Sequence, residues 1–187
     1  MTNRVASIVL GFQDKAQRLK CIQRRGWIRA GVRESESVAD HSFACAMLSM
    51  IVGDSCGLNT ERLIRMALLH DLPESITGDL TPRQKRTLGA RIVPLERQAA
   101  NTALSSLPSR TKRKYLSLID EYRKQRSTES RVLRDIDKIE MSIQALTYVK
   151  EGYPAKRMAE FLNSAEKDLR TDFGKTLFKV LISEKRI

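Results

Sequence analysis

The sequence predicts an all-α protein. Apolar residues recur every three or four positions along nearly every segment, which is the spacing of one face of a helix. The few clusters of β-branched residues are too short and too isolated to pair into a sheet. A chain of 187 residues has the size of one ordinary domain and can bury a core without a disulfide or a metal to hold it together. We therefore expect a single helical domain over residues 1–187.

The first two long helices are predicted from periodicity and from capping residues. One covers about 5–24, where apolar side chains repeat at helical spacing. The next begins at Ser37, whose hydroxyl can accept a free backbone amide while Asp40 reaches back, and it ends at Gly57. His41 therefore falls in the first full turn of this helix.

The third helix is predicted at 61–72, "ERLIRMALLHDL". Asn59 or Thr60 caps it, and Pro73 marks its end because proline restricts the residue before it. Four later helices are expected at about 93–107, 109–125, 129–151 and 155–183, the last either continuous or broken at Gly174.

Two connecting segments differ from the helices in composition. Residues 26–36, "GWIRAGVRESE", are predicted to form a loop. Residues 77–91 are rich in turn formers and charge, and we expect them to form a mobile flap.

The chain is strongly basic. Its 34 Lys and Arg against 22 Asp and Glu give a net charge of +12, which indicates an anionic partner. The basic residues are spread over several clusters and aromatic residues make up only 5% of the chain, so nucleic acid is a possible partner but not the favoured one.

Sequence features predict a cytoplasmic location. No apolar run approaches the length of about eighteen residues that a membrane span requires, and the first residues lack the pattern of a signal peptide. The three cysteines are odd in number and show no C-x-x-C spacing, as expected of reduced thiols in the cytosol.

Two histidines and an acid occupy positions where apolar residues are expected. His41 lies on or beside the apolar face of its helix, and alone it would be interpreted as a hydrogen-bonded core histidine. His70 and Asp71, however, end a second helix with a buried inner face. Burying an unpartnered carboxylate costs several kcal/mol. A divalent metal would satisfy all three side chains best.

A fourth ligand is expected from the segment 130–149. Asp135 shares its helical stripe with Arg131 and Lys138, which predicts a solvated face, whereas Asp137 lies between two isoleucines. We therefore choose Asp137.

The resulting set of two imidazoles and two carboxylates suits Mn²⁺, Co²⁺, Fe²⁺, Zn²⁺ or, less well, Mg²⁺. Four protein ligands leave positions for water or a substrate oxygen. Such a cation can acidify water and neutralise charge on a phosphoryl group, so the pattern indicates a hydrolytic site.

The order H...HD...D resembles that of the HD-domain phosphohydrolases. Two longer stretches, "RRGWIRAGVRESESVADH" and "ALLHDLPESITGDLTP", are similar to the 5′-deoxynucleotidase branch of that family, and the resemblance covers about 19–148. It implies an HD-type helical bundle in which His41, His70, Asp71 and Asp137 bind the metal.

The resemblance also implies roles for two further acids. Glu74 matches the acid that orients or deprotonates the attacking water, and Asp79 matches an acid near the leaving group and sugar. Each has a simpler interpretation, because Glu74 follows Pro73 as a first-turn helix acid and Asp79 suits a turn.

The substrate residues implied by the resemblance lie near the start of the chain. Trp27 matches a residue that closes over the substrate, although a lone tryptophan is more often a core anchor. Either Arg24 or Arg25 matches a phosphate-binding arginine, a role suited to the guanidinium fork.

The function that the resemblance implies is removal of the 5′-phosphate from a nucleoside monophosphate, with deoxynucleotides preferred, by a metal-dependent homodimeric enzyme. One alternative keeps the metal and changes the substrate, to a nucleoside triphosphate or a phosphodiester. Another is a basic helical protein that binds nucleic acid, with salt-sensitive affinity that survives Asp71→Asn.

Overall fold

In the computed structural model, which describes residues 2–184, the chain folds into α-helices joined by short turns. The helices are α1 Thr2–Cys21, α2 Arg25–Arg29, α3 Val38–Cys56, α4 Thr60–Leu69, α5 Glu74–Thr77, α6 Pro82–Leu88, α7 Ile92–Ala103, α8 Ser109–Lys124, α9 Thr128–Lys150, α10 Ala155–Asp168 and α11 Asp172–Glu184, with a 3₁₀ turn at Gly89–Arg91 between α6 and α7. Over residues 2–184 no strand forms, and the only pairing of β type is an isolated bridge between Gln23 and Ser37. The all-α prediction is confirmed.

Helix α9 lies at the centre of the fold. It packs against α3, α4, α8, α10 and α11, and α3 packs in turn along α4. One apolar cluster fills the space between α3, α4 and α9, and includes Leu63, Met66 and Leu133. A second cluster lies between α9 and the last two helices, around Tyr148 and Met158. Because both clusters use α9, this helix is buried on several sides.

The predicted caps hold α3 and α4 in place. The Ser37 hydroxyl accepts the backbone N–H of Asp40 at 3.1 Å, and the Asp40 carboxylate accepts the backbone N–H of Ser37 at 2.8 Å. Gly57 ends α3 with a positive φ of 64°, a conformation that favours glycine. Asn59 is the residue that caps α4, with its side-chain oxygen accepting the N–H of Arg62 at 2.9 Å.

Both predicted loops contain a helix. The first holds the single turn α2. The second, expected to be a mobile flap, holds α6, which Thr81 caps through reciprocal bonds with Gln84 and which has Pro82 at its first position. The sequence "TPRQ" is a helix-start pattern, and the surrounding turn formers and charges obscured it.

The prediction that Asp135 lies on a solvated face is wrong. Its side chain is 0% exposed, and it accepts the backbone N–H groups of Arg170 and Thr171, each at 2.8 Å, and the Thr171 hydroxyl at 2.6 Å. The break in the C-terminal helical segment therefore falls between α10 and α11 instead of at Gly174. Gly174 lies inside α11, where a Cβ atom would overlap the Asp135 carboxylate.

The described residues contain no helix that is long and apolar enough to cross a membrane.

Candidate metal centre

Three helices bring the four predicted metal ligands together. His41 comes from the first turn of α3, His70 and Asp71 from the end of α4, and Asp137 from the middle of α9. His41 Nε2 lies 3.2 Å from Asp137 Oδ1 and 3.8 Å from Asp71 Oδ2, and His70 Nε2 lies 3.2 Å from Asp71 Oδ2. Ligand atoms bound to one ion at about 2.1 Å lie roughly 3 to 3.5 Å apart. These three separations are compatible with ligands that share one cation.

His70 presents a free nitrogen to this cluster. Its Nδ1–H donates to the carbonyl oxygen of Ala67 at 2.6 Å, which places the lone pair on Nε2. Nε2 is buried and has no hydrogen-bond partner in the described structure. A buried polar atom left unpaired costs about 1–3 kcal/mol. A metal ion would satisfy it.

His41 is fully buried and is held from behind by Glu140. Its Nδ1 contacts the Glu140 carboxylate, so that Nε2 faces the two aspartates. Burial and Arg24 act to lower the pKa of His41, but contacts with Cys45 and Asp137 raise it well above its ordinary value. The negative surroundings that favour an imidazolium also favour a divalent cation.

The two aspartates remain ionised in spite of their burial. Burial opposes the charged form of Asp71, but His70 holds the pKa of that carboxyl below its usual range. Burial likewise acts on Asp137, where Lys138, at 3.2 Å, and His41 hold the pKa well below its usual range. The Tyr122 hydroxyl donates to Asp137 Oδ2 at 3.2 Å, which leaves Oδ1 directed at His41. Two negative charges are thus available to balance one divalent cation.

Two residues of this centre were not predicted from the sequence. Glu140 lies three residues after Asp137 on the same helix, a spacing that places both acids on one face and could have identified it. Cys45 lies one turn after His41, and the ligand atoms of His41, Cys45 and His70 are all within 4.8 Å of one another. A buried cysteine on an apolar helix gives no such signal, because it is usually a core residue.

A cavity of about 640 Å³ opens beside His70 and Asp71. Glu74, at the start of α5, lines it. Burial raises the pKa of Glu74 well above its ordinary value, and the charges of Asp71 and Asp79 add to this effect. Glu74 is therefore placed next to the proposed metal ligands as a candidate proton acceptor.

Asp79 lies in the turn between α5 and α6. Its Oδ2 accepts the backbone N–H of Arg25 at 2.5 Å, and so ties this turn to the start of α2. The charge of Asp79 raises the pKa of Glu74, but Asp79 is not among the residues that line the cavity.

Basic residues also line the cavity. They come from α6, α7, α8 and α9 and include Lys85, Arg97, Arg113 and Arg134. Lys85 lies 3.4 Å from Glu96, and although burial acts to lower its pKa, Glu96, Asp71 and Glu74 raise it. These cations make the cavity suitable for an anionic ligand. The sequence did not reveal them because they are spread over four helices.

Trp27 does not line the cavity in the described structure, and its role in closing over a substrate stays a prediction. Its side chain is 1% exposed and packs against Tyr148 and Phe161 in the second apolar cluster. The indole N–H donates to Glu36 Oε1 at 2.8 Å. Trp27 is therefore a core anchor that also fixes the Glu36 carboxylate.

The two candidate arginines point in different directions. Arg24 Nε lies 3.6 Å from the same Glu36 oxygen, and its Nη1 is buried without a hydrogen-bond partner in the described structure. Burial acts to lower the pKa of Arg24, but Glu36, Asp137 and Asp71 raise it. Arg25 instead lines a separate surface pocket with residues of α2 and α6.

Comparisons with known proteins identify the family of this chain. The HD domain family matches residues 16–177. A Dictyostelium discoideum protein named 5′-deoxynucleotidase HDDC2 is 33% identical over 179 residues, which cover 92% of this chain and 93% of that protein. A Xenopus laevis protein of the same name is 33% identical over 156 residues, 83% of this chain and 77% of that protein. A solved structure, a conserved hypothetical protein from Pyrococcus furiosus, superposes with a TM-score of 0.77 at 30% identity over 95% of this chain and 98% of its own.

Proposed function

This chain belongs to the HD domain family, and from that premise we propose that it is a metal-dependent 5′-deoxynucleotidase, which hydrolyses a deoxynucleoside monophosphate to the nucleoside and phosphate. The observation that carries the proposal is the convergence of His41, His70, Asp71 and Asp137 beside a cavity with basic walls. The relatives named 5′-deoxynucleotidase supply the substrate class.

His41, His70, Asp71 and Asp137 would hold the cation, and the free Nε2 of His70 supports this assignment. When bound, a divalent cation supplies a Lewis acid for the phosphoryl oxygens and acidifies water. We propose Mn²⁺, Co²⁺, Fe²⁺, Zn²⁺ or Mg²⁺ as the metal, because each accepts a mixed set of imidazole and carboxylate ligands.

Glu74 would orient the attacking water and take its proton. It lines the cavity beside Asp71, and its raised pKa makes it a stronger base than an ordinary carboxylate. Asp79 would act at the leaving 5′-oxygen or at the 3′ side of the sugar. Since its Oδ2 is engaged by Arg25, this role would fall to Oδ1.

Arg24 would bind the substrate phosphate. Its buried Nη1 lacks a partner, its charge is felt by Asp71 and Asp137, and Glu36 anchors its Nε side. The planar fork of a guanidinium matches two phosphate oxygens, and positive charge there stabilises the charge of the transferred group.

A homodimer is the proposed assembly. Helix α3 carries large apolar side chains on its outer face at helical spacing, namely Phe43, Met47, Met50 and Ile51. Phe43 is 65% exposed and Ile51 is 59% exposed. A contiguous exposed apolar face of this kind marks interaction sites in soluble proteins. Sedimentation of the purified chain, compared with Phe43→Asp, tests this assembly.

The cytoplasm is the proposed location. Cys21, Cys45 and Cys56 are all free thiols, which supports a reducing compartment.

A phosphate-release screen tests the activity. The purified chain, stripped of metal and supplied with each candidate cation, should release inorganic phosphate from dAMP, dGMP and dCMP, and Asp71→Asn should release none. Pyrophosphate or tripolyphosphate released from deoxynucleoside triphosphates would instead identify a triphosphohydrolase. Nucleotides released from phosphodiesters would identify a phosphodiesterase.

A further inference from the structure

Glu36 is a buried acid that lies between Trp27 and Arg24. Its side chain is 8% exposed, and it directly precedes Ser37, the cap of α3. Glu36 Oε1 accepts the indole N–H of Trp27 at 2.8 Å and lies 3.6 Å from Arg24 Nε. One carboxylate oxygen therefore contacts the only tryptophan of the chain and pairs with the arginine proposed to bind phosphate.

Backbone contacts fix Glu36 beside Arg24. The backbone N–H of Arg24 donates to the carbonyl oxygen of Glu36 at 3.1 Å. The neighbouring residues Gln23 and Ser37 form the isolated antiparallel bridge. The backbone N–H of Glu36 donates to the Tyr148 hydroxyl at 2.8 Å, which ties this segment to α9. Contacts within the protein therefore set the position of the Glu36 carboxylate.

The pairing at Nε leaves the other end of the Arg24 guanidinium available to an anion. Nη1 is buried and has no hydrogen-bond partner in the part of the chain that the structure describes. Although burial acts to lower the pKa of Arg24, the charges of Glu36 and Asp137 raise it. The guanidinium therefore lies within electrostatic range of a proposed metal ligand, where the phosphate of a substrate would bind.

Glu36 also lies near a second buried acid. Oxygens of Glu36 and Glu140 and a ring nitrogen of His41 are all within 4.8 Å of one another. Burial and the charge of Glu140 raise the pKa of Glu36, and Arg24 acts to lower it. Carboxylates this close repel each other, and the guanidinium offsets that repulsion. The attraction therefore holds Arg24 against Glu36 before any phosphate binds.

We propose that Glu36 is a positioning residue, which holds the guanidinium of Arg24 so that its Nη1 end faces the substrate phosphate, and that Trp27 supports this role by fixing the carboxylate. The inference rests on the proposed function, because it concerns the phosphate of that same substrate. An arginine held in advance loses less rotamer freedom when the phosphate binds, so the same contacts give tighter binding. Glu36 itself does not touch the phosphate.

The direction of the effect of Glu36→Gln distinguishes positioning from charge alone. The substitution removes a negative charge near an anion site, so Coulomb's law alone predicts tighter binding of phosphate. Loss of a positioned guanidinium predicts the reverse, and the Kd of inorganic phosphate for the Zn²⁺-loaded chain, measured by calorimetry, should rise about fivefold or more. The matched control is Glu34→Gln, at an exposed position two residues earlier, which should bind phosphate as the parent does. Unchanged or tighter binding in Glu36→Gln, or equal weakening in Glu34→Gln, would overturn the proposal.

A double-mutant cycle shows whether Glu36 acts through Arg24. In the Arg24→Gln background, Glu36→Gln should raise the phosphate Kd by less than about twofold, since no guanidinium remains to be held. The Zn²⁺ affinity of Glu36→Gln should stay within about threefold of the parent value, because Glu140 is the acid that contacts Nδ1 of His41. Equal weakening of phosphate binding in both backgrounds, or a larger loss of Zn²⁺ affinity, would show a general structural role and overturn the proposal.

Trp27 provides a measurement on the parent protein that does not depend on the folding of any variant. As the only tryptophan, it gives a single indole N–H resonance, and that N–H donates to Glu36. Adding inorganic phosphate to the Zn²⁺-loaded chain should shift this resonance, because an anion at Arg24 changes the charge that faces the Glu36 carboxylate. Phosphate that binds by calorimetry without shifting the resonance would overturn the proposal.

Phosphate release from dAMP, measured on the same samples, separates the two proposals. Turnover by the parent together with parent-like phosphate binding in Glu36→Gln would overturn the role of Glu36 and leave the nucleotidase activity standing. Weaker phosphate binding in Glu36→Gln without turnover by any cation would do the reverse.

Discussion

The carboxylate of Glu140 contacts Nδ1 of His41 on the side of the imidazole that faces away from the aspartates. Both side chains are buried. With Nδ1–H donating to this carboxylate, Nε2, 3.2 Å from Asp137, is the nitrogen that would bind a metal once its proton is displaced. Helix α9 therefore supplies both a proposed metal ligand and, three residues later, the group that orients another proposed ligand.

Replacing Glu140 by Gln should weaken metal binding. The amide keeps the size of the side chain but removes the negative charge that strengthens His41 as a ligand, so the affinity for Co²⁺ or Zn²⁺ should fall about 10- to 100-fold. Calorimetric titration of the metal-free chain measures this change. Glu160→Gln, at an exposed position on α10, is the matched control and should bind metal as the parent does. Equal affinities for all three proteins would contradict the positioning role of Glu140.

Asp135→Asn should destabilise the fold without affecting the metal. Asp135 accepts two backbone N–H groups and one hydroxyl at the junction of α10 and α11. The NH₂ group of an asparagine side chain is a donor, so it would face at least one of these donors without forming a hydrogen bond. The free energy of unfolding should fall by about 1–3 kcal/mol. Urea denaturation measures the loss. Asp137→Asn should show the opposite profile, with metal binding and turnover lost. Parent-like stability of Asp135→Asn, or loss of its metal affinity, would disagree with the structure.

These two aspartates show what the sequence could and could not predict. The helices could be predicted from capping residues and periodicity, and the four proposed ligands could be selected as polar side chains in apolar segments, because both are local signals. The prediction of a solvated face for Asp135 was wrong because five other helices pack against α9. Helical periodicity predicts an exposed face only for a helix that has one. The choice between Arg24 and Arg25 also needed the fold, since adjacent residues point about 100° apart on a helical turn and local sequence does not say which one faces inward.

Substituting Arg24 and Arg25 in parallel tests the assignment of the phosphate-binding arginine. Lysine keeps the charge but not the bidentate fork, so Arg24→Lys should lower kcat/KM for dAMP by roughly tenfold or more. Arg25→Lys should remain close to the parent, because that side chain lines a different pocket. Steady-state kinetics over a range of dAMP concentrations gives both values. The reverse pattern would transfer the role to Arg25.

Glu74→Gln should impair turnover while leaving the metal bound. The amide cannot take a proton from water, and loss of a general base typically costs about two to four decades in kcat. The affinity for Co²⁺ should stay within a few-fold of the parent value, since Glu74 lines the cavity outside the proposed ligand set. Stopped assays of phosphate release and a Co²⁺ titration on the same preparation give both numbers. Undiminished kcat would limit Glu74 to the role of a first-turn helix acid.

The Arg62–Glu121 pair predicts how stability responds to acid. Arg62 Nε donates to Glu121 Oε1 at 2.9 Å, and the Ser127 hydroxyl donates to the same oxygen at 2.5 Å, so one carboxylate joins α4, α8 and the start of α9. The hydrogen bond from Arg62 lowers the pKa of Glu121 below its ordinary value, against the effect of burial.

Because the folded pKa of Glu121 is depressed, its stabilising effect should be complete above the unfolded value of about 4.3 and should be lost as the pH falls through the lower folded value. At pH 7, Glu121→Gln should lower the free energy of unfolding by about 1–2 kcal/mol, and this difference from the parent should shrink toward pH 3. Urea denaturation of the metal-free proteins at both pH values measures it.

The control is Glu61→Gln, since Glu61 pairs with Arg65 at 2.8 Å but its side chain is 71% exposed. Water screens such a pair, so its removal should change the free energy of unfolding by less than about 0.5 kcal/mol at either pH. A Glu121→Gln difference that does not depend on pH would show that the carboxylate acts through its shape and not through its charge.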